Sequence, residues 1–128
     1  MTNDRLGALI GQIDPSANGQ PGYWQFSLRG RDLLVITDET HNRMRIMAPI
    51  APQDELEEDD FVILLQANFG RALDAKFALN DGVVWSVFIH PLAELTEGQF
   101  HDAVEQVATL ADNYGTSYAS SNLSFGGR

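Results

Sequence analysis

The sequence predicts an α+β fold in the order α-β-β-β-α-β-β-α, with one five-stranded antiparallel sheet and helices packed on it. Three observations carry that expectation. Residues 23–47 contain three short runs, either alternating or concentrated in apolar residues, separated by turn formers. Residues 75–92 contain two runs rich in aromatic and β-branched residues around Asn80-Asp81-Gly82, the chemistry of a tight hairpin. Before, between and after these segments, apolar residues recur at helical spacing.

Taken in order, Leu6, Leu9, Ile10 and Ile13 follow helical spacing behind the potential caps Thr2, Asn3 and Asp4. Gly7 and Gly11 interrupt this helix, each at a cost of about 1 kcal/mol relative to alanine, so it is expected to be short and weak. Residues 14–22, dense in turn formers, are expected to form a loop. In Tyr23 to Arg29, Trp24, Phe26 and Leu28 alternate with Gln25, Ser27 and Arg29, the pattern of a strand with one buried face. Gly30-Arg31-Asp32 turns the chain into Leu33 to Thr37, which is apolar on both faces like a central strand. After the polar turn Asp38 to Asn42, Arg43 to Met47 sets Met44 and Ile46 against Arg43 and Arg45, and Pro49 and Pro52 limit the strand. The three strands form an antiparallel meander.

Phe61, Leu64, Leu65 and Phe69 fall at i, i+3, i+4 and i+8, one helical stripe expected to lie on the inner face of the following hairpin. Asn68 lies on the same side, where its amide is expected to lock the helix to a neighbouring backbone. The acids of Asp54 to Asp60 suit a solvated helix start, where the macrodipole favours carboxylates, with Asp54 and Glu57 as cap and partner. Alternating acids with a central glycine, as a calcium loop requires, are not found there. Thr96 and Gln99 form a capping box with Leu95 and Phe100 as hydrophobic staple. Phe100, Ala103, Val104, Val107, Leu110, Ala111 and Tyr114 then extend one apolar stripe towards Gly115. Trp24, Phe26, Phe77, Phe100 and Val104 are the expected core. Residues 116–128, rich in serine, glycine and asparagine, are expected to form a loosely ordered tail after a single domain of residues 1–115.

A chain of 128 residues, 44% apolar, fits one domain with one core. Its formal net charge of −10 repels phosphate backbones, so no nucleic-acid partner is expected. It has no cysteine, which excludes disulfides, thiolate metal sites and a cysteine nucleophile. No run approaches the ~18 apolar residues of a membrane span, and residues 1–20 lack a basic start followed by an apolar run. A cytoplasmic protein without a membrane partner is the expectation.

The three histidines, His41, His90 and His101, form neither an H-x-x-x-H nor an H-E-x-x-H pair, so no metal is expected. Neither a G-x-S-x-G elbow nor a glycine-rich phosphate cradle occurs, which leaves no catalytic residue and no cofactor to name. Arg29, Arg31, Arg43 and Arg45 come from strands expected to be neighbours. They could grip an acidic segment of a partner; the plainer reading is that they are solvated or paired with local acids.

The stretch Leu64-Leu65-Gln66-Ala67-Asn68-Phe69, the hairpin Phe77-Ala78-Leu79-Asn80-Asp81-Gly82, then Pro91-Leu92, Leu95, Phe100 and the last helix resemble the type III secretion chaperone (Tir chaperone) family. The resemblance covers roughly residues 20 to 115 and is shared with YbjN-like proteins of the same fold. It implies a non-enzymatic module that holds an extended segment of a protein partner, such as a secreted effector, against its sheet. The alternative is a YbjN-like regulatory or stress-related protein that binds a folded partner. An enzyme has the least support.

In the strand Val83 to Leu92, Val83, Trp85, Val87 and Ile89 point one way, Val84 and Phe88 the other. With helices on one side only, Val84 and Phe88 are expected at a homodimer interface or under a partner's segment, unless a loop or the tail roofs them. The family's dimeric habit and the frequency of two-fold dimers point to self-association.

Overall fold

The computed structural model describes residues 1–114; the expected tail, residues 116–128, lies outside the described residues. Thr2 caps α1 (Asn3–Ile13) by accepting a hydrogen bond from the Arg5 amide at 3.1 Å, and Leu6, Leu9 and Ile10 are its buried face. The helix therefore forms in spite of its glycines. A β-carbon on Gly7 would lie 3.4 Å from Trp24 Nε1, so the small residue lets α1 sit close on the indole.

The sheet has six strands rather than the expected five, in the order β1-β2-β3-β4-β6-β5, all antiparallel. The additional strand, β1 (Asn18–Gln20), lies within the expected loop and pairs with β2 (Tyr23–Leu28). Its three residues are all exposed, so no apolar alternation announces it. Gly19 makes the pairing possible, because at φ 146° a β-carbon would lie 2.3 Å from the Tyr23 carbonyl oxygen. Asp14 anchors the approach: its carboxylate accepts from the Ser16 and Ser27 amides, each at 2.9 Å. The Ser27 bond, then the Ser16 bonds, hold its pKa below the ordinary carboxylate range.

The meander β2, β3 (Arg31–Asp38) and β4 (Arg43–Pro52) follows as expected. Here β4 runs past Pro49, with a register shift between Pro49 and Ala51 that accommodates the prolines. The hairpin β5 (Lys76–Asn80) and β6 (Val83–His90) turns through Asp81 and Gly82, whose φ values of 52° and 78° are those of a two-residue primed turn.

A single face of this sheet carries the core. Trp24, Val35, Ile46 and Phe88 form one cross-strand row beneath α1 and α3 (Glu97–Asn113), and all are buried. Phe26, Phe77, Phe100 and Val104 join them, so the expected core residues are all in place. Each large side chain so buried contributes roughly 1.5–3 kcal/mol relative to exposure. The Thr96–Gln99 capping box is formed in both directions, at 2.9 and 3.1 Å.

The second helix, α2 (Glu58–Gly70), begins later than expected. Residues 53–55 form a short 3-10 turn, and Glu57 precedes the helix with its amide donating to Asp60 Oδ2 at 2.8 Å, so Glu57 and Asp60 replace Asp54 and Glu57 as the cap pair. Asn68 does what its position predicts: its amide nitrogen donates to the Phe77 carbonyl at 3.0 Å, and its oxygen accepts from the Phe77 N–H at 2.8 Å. This doubly bonded amide ties α2 to the edge of β5. The expected stripe, however, is covered only in part. Leu64 and Ala67 are buried and Phe61 half-buried, whereas Leu65 and Phe69 face solvent.

Candidate protein-binding surfaces

The faces of β6 are the reverse of the expected ones. Val84 and Phe88 are 2% and 7% exposed and pack beneath the helices, not on an open face of the sheet; Ile89 on the opposite face is 54% exposed. The cause is Ser86 between them. It interrupts the apolar pattern of the buried face, yet it is fully buried and its Oγ donates to the Val107 carbonyl at 2.9 Å. A small residue with one polar atom allows α3 to approach the sheet closely. The uninterrupted apolar set Val83, Trp85, Val87 and Ile89 lies on the open side.

That open side is the first candidate surface. Tyr23, Ile36, Arg45 and Ile89 stand in one row across β2, β3, β4 and β6, and Leu34, Met47 and Val87 stand in the next. Leu34, Ile36, Met47, Trp85 and Val87 are each half-buried, and Tyr23 and Ile89 are exposed. No described helix covers them. An open face of an antiparallel sheet is ordinarily polar, so an apolar band there is what makes this side a candidate.

The structure separates the four arginines into two kinds. Arg29 and Arg31 reach α3, where they pair with Glu105 and Asp112, each at 2.9 Å. These exposed pairs hold the meander to α3 and are worth about 0–1 kcal/mol each. Arg43 and Arg45 form no ion pair among the described residues. They project from β4 on the open side.

The second surface is the outer face of α2. Val62, Leu65 and Phe69 recur at i, i+3 and i+7, Leu65 and Phe69 being 69% and 96% exposed, and Leu73 beyond the helix end is 72% exposed. An apolar groove between α2 and the β5–β6 hairpin, lined by Phe61, Leu64, Phe77, Leu79 and Val84, continues this patch. Sequence reasoning assigned the stripe to the core because its period is that of a buried helix face. Which side of α2 meets the hairpin, that of Leu64 and Ala67, is visible only in the structure.

The histidines lie apart. His41 Nδ1 is 2.8 Å from the Asp38 carboxylate, and this contact is the leading cause holding the Asp38 pKa down. His90 stacks on Phe88 at 5.7 Å, while His101 meets the edge of Phe100. Among the described residues, no three His, Asp or Glu side chains are grouped to hold a metal ion. No described helix is long and apolar enough to cross a membrane.

No protein-family model matches the sequence, and no curated protein matches it. Solved structures do match by fold. A chain of the ExsC–ExsE complex superposes with a TM-score of 0.67 at 19% identity, over 88% of this chain and 92% of that one. A chain of the HopA1–SchA chaperone–effector complex gives 0.62 at 12% identity, over 88% and 94%. A chain of the ExoT–SpcS complex from Pseudomonas aeruginosa gives 0.58 at 15% identity, over 88% and 98%. The fold is therefore that of the type III secretion chaperones, with helices on one face of an antiparallel sheet.

Proposed function

We propose that this chain is a non-enzymatic protein-binding module that holds an extended segment of a partner, as a secretion chaperone holds its effector, and that it works as a homodimer. The observation that carries the first part is the apolar band on the open side of the sheet, from Tyr23 and Ile36 through Met47 to Val87 and Ile89. An extended segment can lay alternate side chains on such a face without first folding, and the chaperone–effector complex among the fold's neighbours supports a partner of this kind. Affinity purification from the native host tests the assignment. A partner retained by the wild type and lost by Ile89→Asn, with its bound stretch protected from protease as one continuous segment, is the expected result. Equal retention by both proteins would remove the open face from the reading.

In this reading the dimer forms through α2. Phe69 at 96% exposure, with Leu65 and Leu73 beside it, forms an apolar patch separate from the open face, so self-association and partner binding do not compete. In sedimentation equilibrium at tens of micromolar, the wild type is expected to be a dimer and Phe69→Glu a folded monomer. A monomeric wild type would overturn the dimer, and a dimer indifferent to the glutamate would overturn this interface.

A further inference from the structure

The middle of the apolar band contains one charge that nothing answers. The guanidinium of Arg45 has neither a hydrogen bond nor an ion pair among the described residues. Its cross-strand neighbours are Ile36 on β3 and Ile89 on β6. Arg43, two residues earlier, is different: its Nη1 donates to the Asn42 carbonyl at 2.9 Å, and it stands opposite Asp38, whose carboxylate is engaged by His41. The chain has 18 acidic residues, yet none lies within 4 Å of Arg45; Asp38, diagonal to it on β3, is engaged by His41.

While the face is open, water solvates this guanidinium. A segment laid along the band removes that water, and a charge covered without a counter-charge is strongly unfavourable. Resting on the reading that the open face takes an extended segment, we infer that this segment carries an aspartate or glutamate set opposite Arg45, between apolar side chains that lie on Ile36 and Ile89. Arg45 is then the residue that selects among apolar segments. A partner's acidic segment suits this place better than a second copy, whose same face presents Arg43 and Arg45, or residues 115–128, which contain no aspartate or glutamate. The inferred occupant is a segment of a different protein.

Selection of displayed random 12-residue peptides on the full chain tests this, with wild type, Arg45→Gln, Arg45→Glu and Ile89→Asn as baits. Wild type is expected to enrich sequences with one aspartate or glutamate flanked by apolar residues. Arg45→Gln should lose the acidic preference, and Arg45→Glu should select lysine or arginine at that place. In a synthetic copy of an enriched peptide, changing the acid to its amide should weaken binding to wild type roughly tenfold and leave binding to Arg45→Gln unchanged. Peptides that need Ile89 but show no acidic preference would overturn the role of Arg45 and leave segment binding standing. Peptides indifferent to both substitutions, or no enrichment on any bait, would count against both.

Discussion

Asparagine in place of Phe88 is expected to destabilise the domain by about 3–5 kcal/mol, enough to unfold much of it, whereas the same change at the adjacent Ile89 costs about 1 kcal/mol or less. The two residues are neighbours on β6 and have similar hydrophobicity. They differ in what covers them: Phe88 is 7% exposed in the row with Ile46, Val35 and Trp24, while Ile89 is 54% exposed on the open side. At position 88 the substitution leaves a cavity and buries an amide with no partner; at position 89 the amide meets water. Urea unfolding followed by circular dichroism measures both. Equal losses of stability would mean that the two faces of β6 are covered alike, against the one-sided architecture.

Asn68→Leu carries the second large effect, about 2 kcal/mol, although it places an apolar residue on a mostly apolar helix. The side-chain amide supplies both a donor and an acceptor to Phe77 at the outer edge of the sheet, at 3.0 and 2.8 Å. Leucine would leave the Phe77 N–H and carbonyl without these partners beneath α2, and unsatisfied groups of this kind cost roughly 1–3 kcal/mol. Hydrogen exchange locates the effect: the Phe77 amide should lose protection while the amides of β3 keep theirs. Unchanged exchange at Phe77 would show that another group takes over the bonds.

The elements that the sequence announced clearly are those with local chemistry that admits one solution. The Thr96–Gln99 capping box, the Asp81-Gly82 turn and the Asn68 amide are each determined within a few residues or by one buried polar group. What depended on the partner face was not legible. In β6 the longer apolar set was assigned to the core, but the buried set is the one interrupted by Ser86, whose small side chain fits under α3 and whose hydroxyl is satisfied there by the Val107 carbonyl. In α2 the stripe has the spacing of a core helix, but the side turned to the sheet is that of Leu64 and Ala67, which leaves Leu65 and Phe69 in solvent. The additional strand, β1, had none of the usual pattern, since a fully exposed three-residue edge strand needs no apolar alternation and only Gly19 makes it possible. The candidate surfaces followed the same rule. Arg31, Arg43 and Arg45 stand on the neighbouring strands β3 and β4 and Arg29 in the turn before β3, while the division into the paired Arg29 and Arg31 and the unpaired Arg45 required the position of α3.

Methyl-detected NMR of the complex with the partner recovered from the native host tests the central claim most directly. Binding is predicted to shift the methyl groups of Ile36, Met47, Val87 and Ile89 on the open side, and to leave those of Leu9, Ile46 and Val104 beneath the helices near their free positions. Shifts confined to the helical side, or an open face whose methyl groups do not respond when the partner is bound, would contradict the account.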